Sequence, residues 1–261
     1  MPPDLFPKFI GFAYAFIVVF ILAYLWNKNY ISRKKAIPIL ILSTALGFLI
    51  FAPVAPHNFQ SLILRATAGV GSPLLIATVG MSALLAINLI FGRIFCGHIC
   101  PVGTIQELTY LIPTPKFGRK LKRETITFRA IVFVIIITAA YFYSYAVVDL
   151  FGIYEFFHLT AGISFIVFLL IIIASAFFYR PFCRLICPYG TLLAILSAYS
   201  ILGIQRGSQC IDCGKCEKVC PVDEAKIGDL GAECYMCGRC LEVCPKPGAI
   251  WYGRPEKKDE K

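Results

Sequence analysis

Histidine, tryptophan and methionine are scarce in this sequence: 3, 2 and 3 residues of 261. None of the histidines follows a C-x-x-C pair, which excludes c-type haem attachment. Charge is also thin, at 15% of residues, and it is absent from 37 to 64 and from 66 to 92. Those stretches therefore hold no relay of buried acids for protons. Acids are the rarer sign: 15 Asp and Glu against 25 Lys and Arg leave a net charge of +10. Most of the basic residues flank apolar runs, where membrane insertion and anionic lipid account for them, so nucleic acid is not an expected partner. No A-x-A site follows the first apolar run, and the segment before it offers only Lys8 as a cation. That run reads as a retained span and not as a cleaved leader.

What is abundant is apolar. Hydrophobic residues make up 58% of the chain and mean hydropathy is +0.75, far above what a soluble core can absorb. Five stretches have the length of a membrane span: 8–26, 37–54, 73–92, 130–149 and 163–179. Lys28, Arg33, Lys34 and Lys35 crowd one loop, and more cations lie between Arg93 and Arg129. The loop from 54 to 72 has only Arg65, and that from 150 to 162 has none. The positive-inside rule then predicts a multi-pass protein of the inner (cytoplasmic) membrane, with its N-terminus outside and its C-terminal part in the cytoplasm.

Cysteine is the other abundance. Eight of the 12 fall in "CIDCGKCEKVCP" (210–221) and "CYMCGRCLEVCP" (234–245). Both are C-x2-C-x2-C-x3-C-P, the spacing that wraps a [4Fe-4S] cubane, with the fourth cysteine reaching the other cluster. On that rule Cys210, Cys213, Cys216 and Cys244 hold one cluster, and Cys234, Cys237, Cys240 and Cys220 the second. A zinc site wants paired cysteines with a longer loop between them. A disulfide framework conflicts with the cytoplasmic side.

The remaining four cysteines form a repeat. "RIFCGHICPVGTIQEL" (93–108) and "RPFCRLICPYGTLLAI" (180–195) share eight of sixteen positions. Each copy follows a span running from outside to inside, so the copies are parallel repeats whose cysteine pairs can face one another. Pro101 and Pro188 suit the first position of a helix, which sets the preceding cysteine at a helix N-terminus. Cys96, Cys100, Cys183 and Cys187 are thus candidates for a shared third iron–sulfur or soft-metal centre, with redox dithiols or Cu(I) as competitors.

A quinone substrate needs groups that handle protons, and His98, His57, His158 and Glu155 are the weak candidates. Three of them fall in outer loops, across a hydrocarbon core of about 30 Å from the cysteines. A quinone site near the inner cysteines is the more economical arrangement.

With "FCGHICPVGT", "FCRLICPYGT" and the tandem run in that order, the chain resembles the NapH-like family of membrane polyferredoxins over residues 37 to 250. It is similar also to the C-terminal part of NosR and to the ferredoxin-type copper reductase of cytochrome oxidase assembly. The resemblance implies a quinol dehydrogenase membrane component that relays electrons between quinone and partner subunits, or alternatively a copper-binding or copper-reducing assembly factor. The expected fold is a polytopic α-helical membrane domain followed by an α+β two-cluster ferredoxin domain. An additional N-terminal span and basic loop (1–36) precede the membrane core (37–203), the ferredoxin domain (204–253) and a charged tail (254–261).

Overall fold

The computed structural model of the chain describes residues 5–28, 30–50, 59, 63–64, 71–229 and 231–254. Each apolar run builds a helix: α1 (Leu5–Asn27), α2 (Arg33–Ile50), α3 (Gly71–Phe91), α6 (Lys122–Tyr143) and α8 (Ile163–Ala174). Among the described residues, Lys122–Tyr143 is the one helix long and apolar enough by itself to cross a membrane. Ala13–Asn27, Thr78–Phe91, Ile163–Ala174 and Pro188–Ala198 are shorter apolar helical stretches. Large apolar side chains stay outside on α1 (Phe16, Ile17, Phe20), α6 (Ile131, Val134, Ile135) and α8 (Ile166, Leu170, Ile173).

Between these helices lie two copies of one local structure. The first is α4 (Ile94–His98) followed by α5 (Pro101–Tyr110); the second is α9 (Pro181–Leu185) followed by α10 (Pro188–Ala198). Cys100 and Cys187 precede the prolines with near-identical backbones, φ −61°, ψ 117° and φ −61°, ψ 118°. Proline at the first helical position forces this: the preceding residue is pushed into the extended region while the ring starts the next helix. The duplication in sequence is therefore one of backbone as well. In both copies the glycine after the proline turn, Gly103 or Gly190, lies against the carbonyl of the first cysteine, where a Cβ would not fit.

Two expected boundaries move. The run expected to span 130–149 stops as a helix at Tyr143, because Ser144 adopts a left-handed conformation with φ 49°. The loop from 150 to 162 is partly helical and partly buried. Val147–Phe151 forms a 3-10 turn and Ile153–Phe157 a short helix, α7, whose Ile153, Phe156 and Phe157 are buried. Burying apolar surface is favourable, and these residues pack against α8. Phe157 reaches the groove at Gly47 that Pro101 also fills.

The C-terminal lobe is closed by an antiparallel ribbon, β1 (Gly203–Arg206) on β2 (Ile250–Gly253), in register from Gly203↔Gly253 to Arg206↔Ile250. Between its strands lie the short helices α11 (Lys215–Val219) and α12 (Arg239–Val243), each opened by a left-handed glycine, Gly214 or Gly238. The lobe does not swing free. α1 packs on β2, Trp26 meets Tyr252 at 6.1 Å, and Glu242 accepts the backbone N–H of Arg33 at the start of α2.

Candidate metal centres

In the lobe, Cys210, Cys213, Cys216 and Cys244 line one small cavity together. Cys220, Cys234, Cys237 and Cys240 line a second of about 680 Å³, which Cys210 and Cys216 also border. The donor set fits iron–sulfur clusters: thiols in a shared cavity with amide and guanidinium donors aimed at sulfur. The N–H of Glu224 reaches the Cys220 Sγ at 3.3 Å, and the Arg206 guanidinium the Cys216 Sγ at 3.2 Å. Such bonds offset thiolate charge and help set a cluster's potential. Burial and the neighbouring Cys237 push Cys220 up to about 11 as a free thiol, so binding iron means displacing a proton there. Cys213→Ser is expected to remove one cluster's signal from the reduced EPR spectrum and to leave the other. Two unchanged signals would overturn this ligand set.

The second constellation lies where the two repeats meet. Cys96 sits in α4, Cys183 in α9, and Cys100 and Cys187 at the N-termini of α5 and α10. The four thiols are near enough to feel one another's charge, Cys187 sensing Cys183, Cys100 and Cys96. Burial first, and then Cys100, push Cys96 up to about 12. Helix N-termini supply the opposing pull: the N–H groups of Gly103 and Val102 point at Cys100 and that of Gly190 at Cys187. Gln106 donates to the Cys183 Sγ at 3.4 Å. Among the described residues no three histidine, cysteine or acidic side chains converge tightly enough to hold one metal ion.

Buried ion pairs fix this constellation to the lobe. Glu107 of α5 accepts from Tyr179 at 2.6 Å, from Arg180 and from Arg239 of α12 at 2.6 Å. Burial opposes its charge, yet Arg239 and Arg180 hold its carboxyl down at about 2. Glu233 of the lobe is gripped by Arg129 at 3.0 Å and faces Arg93 at 3.6 Å. Lys122 binds Glu224 and Asp229 of the lobe at 2.6 and 2.9 Å. The repeat's two arginines cross over: Arg93 donates to the Gly190 carbonyl at 2.8 Å, and Arg180 to the Gly97 carbonyl at 2.8 Å. Loop cations had been assigned to the membrane surface. Arg93, Arg129, Arg180 and Arg184 are instead buried, because acids of distant segments lie against three of them and Arg184 feels Glu233. One signal was present in the sequence, since the arginine at 93 and 180 is among the repeat's identities.

The proton-handling candidates are scattered. His98 is buried edge-on to Trp26 at 5.9 Å, and burial followed by Arg180 lowers it to about 4, so it is neutral. Its Nδ1 finds no hydrogen-bond partner among the described residues. Glu155 lies on α7 and His158 just after it, with the His158 ring 4.1 Å from that of Tyr154. His57 lies outside the described residues.

A family described as "4Fe-4S binding domain" matches residues 74–124 and 160–203, which are the two copies of the repeat with Cys96, Cys100, Cys183 and Cys187. These residues are thus similar to a 4Fe-4S binding domain. It is similar to the putative electron transport protein YccM of Escherichia coli, with 32% identity over 53% of this chain and 44% of that one. An uncharacterized protein of Methanocaldococcus jannaschii is 29% identical over 53% of this chain and 63% of its own. The methylamine utilization ferredoxin-type protein MauN of Methylobacillus flagellatus is 26% identical over 56% and 54%. The chain spans about half the length of the curated relatives it matches. No solved structure matches it.

Proposed function

We propose that this chain is a membrane-bound electron-transfer protein of the NapH-like kind, relaying electrons between the quinone pool and a redox partner as the membrane component of a quinol dehydrogenase. The observation that carries the reading is the contact between three cysteine sites in succession. Cys96 and Cys183 of the repeat pack with Tyr235 of the second ferredoxin run and with Cys220, and the second run's cysteines share a cavity with Cys210 and Cys216 of the first. The names of the electron-transport and ferredoxin-type relatives agree with it.

The membrane setting is supported by the apolar side chains left outside on α1, α6 and α8. The basic ends of α2 and α6 meet the lobe through Arg33 and Lys122, so the positive-inside rule would put the lobe in the cytoplasm. When bound, the clusters supply one-electron carriers that pass charge without making bonds. The chain's own residues do the rest. Twelve thiols would hold the clusters, amides and arginines would balance the thiolate charge, and Cys183 and Cys187 are buried among apolar side chains.

The test is iron and acid-labile sulfide per chain after anaerobic purification, with copper counted in the same sample. Two lobe clusters and one in the repeat give about 12 irons, falling to about 8 in Cys96→Ser. A value of about 8 in both proteins would overturn the third centre, and copper lost with Cys96→Ser would favour the copper-handling reading. A quinol analogue should also reduce the clusters of the purified chain in lipid, and a quinol-site inhibitor should stop it. Clusters that quinol leaves oxidised would sink the dehydrogenase role.

A further inference from the structure

The two ferredoxin runs put different residues at the same turn. Directly after its first cysteine the first run has Ile211, which is 59% exposed, and the second has Tyr235, which is 2% exposed. Holding a cluster does not ask for an aromatic there, since the first run does without one. What differs is what lies against the turn. The Tyr235 ring centre is 4.9 Å from the guanidinium of Arg93 and 5.0 Å from that of Arg180, the paired arginines of the repeat. Tyr179 stands edge-on to it at 5.9 Å. Its hydroxyl points to the Cys183 carbonyl at 3.5 Å, and its own carbonyl lies against Gly97, between Cys96 and Cys100. One buried cluster joins Tyr235, Tyr179 and Cys183, with Cys96 and Cys220 packed on it.

We propose that Tyr235 is the bridge through which electrons pass between the four-thiol site of the repeat and the cluster site of Cys220, Cys234, Cys237 and Cys240. Tyr235 is bonded to Cys234 and touches both halves of the repeat, so it fills the space an electron must cross with covalently connected matter. The inference rests on the reading above that both sites hold clusters. One electron leaves the reduced cluster of the repeat and reduces the oxidised cluster of the lobe; no bond forms or breaks. The ring itself is not oxidised, because two cations beside it oppose the removal of an electron. The same two arginines hold it in place. This gives the Arg at 93 and 180 a role in both copies, and it orders the sites with the Cys210 cluster outermost.

The test uses the full chain, loaded anaerobically and held in lipid, as Tyr235→Phe and Tyr235→Leu. Three quantities are read: iron per chain, the midpoint potential of each centre by EPR-monitored titration, and the rate of equilibration between centres after flash reduction. Phenylalanine keeps the ring and should keep the rate close to that of the unchanged protein. Leucine does not reach Cys183, and it should slow equilibration by about an order of magnitude with iron and potentials unchanged. A leucine variant that equilibrates at the original rate would overturn the proposal. So would a slowing that follows lost iron or a shifted potential, since that is the mark of a packing role. A count of about 8 irons in the unchanged protein would instead defeat the three-centre reading on which the proposal stands.

Discussion

Glu107→Ala is expected to loosen the ferredoxin lobe from the helical core by about 3–5 kcal/mol, the usual consequence of removing one partner from a buried ion pair. The carboxylate answers two guanidinium groups, Arg180 of the core and Arg239 of the lobe, besides the Tyr179 hydroxyl. All four side chains are buried, so water does not replace what is lost and two cations stay uncompensated. Glu107→Gln should do nearly as much harm, because it keeps the shape and removes the charge. Limited trypsin digestion reads the effect at Arg239, the lobe's basic residue that the seam buries. Where opening precedes cleavage, the rate follows the population of the open form and should rise on the order of a hundredfold or more. A rate within twofold of the unchanged protein would show that Glu233 and Lys122 hold the lobe without it.

Gly97→Ala sets two effects in opposition. Alanine is worth about 0.5–1 kcal/mol over glycine inside a helix, and Gly97 lies in α4. A Cβ there, however, runs into the Tyr235 carbonyl oxygen. That atom is backbone, pinned between Cys234 and Cys237, and cannot rotate away as a side-chain tip would. Overpacking of this kind costs about 1–3 kcal/mol or more, so the clash prevails. The expected outcome is specific. The lobe keeps its own iron, about 8 per chain, because its eight cysteines are untouched. Digestion becomes faster, and electron equilibration between the repeat and the lobe slows. Loss of lobe iron would mean that the lobe does not hold its clusters independently of the core. Unchanged digestion would mean that α4 can shift by the required amount.

Both predictions concern the seam between core and lobe, and nothing in the linear sequence marks that seam. Glu107 reads as one polar residue in "GTIQELTYLI", and its partners lie 73 and 132 positions away. Tyr235 reads as a spacer between cysteines. The loop from 150 to 162 reads as an exposed turn by its position between spans. No rule of spacing says that its Ile153, Phe156 and Phe157 will be buried.

The sequence alone carried the expectation of iron–sulfur chemistry. Spacing of two and three residues is what assigns thiols to each expected cluster, because a tight loop fixes its own geometry; the prolines after Cys100 and Cys187 set the helix starts in the same local way. The apolar runs likewise announced helices through their own length and composition. Only the tertiary structure decided which sites adjoin. It set Cys96 and Cys100 against Cys183 and Cys187, turned Arg93 and Arg180 from expected surface cations into buried clamps, and placed Tyr235 between the repeat and the lobe. The physical reason is range: a residue's backbone state follows from neighbours a few positions away, whereas the partner of a buried charge depends on how distant segments pack.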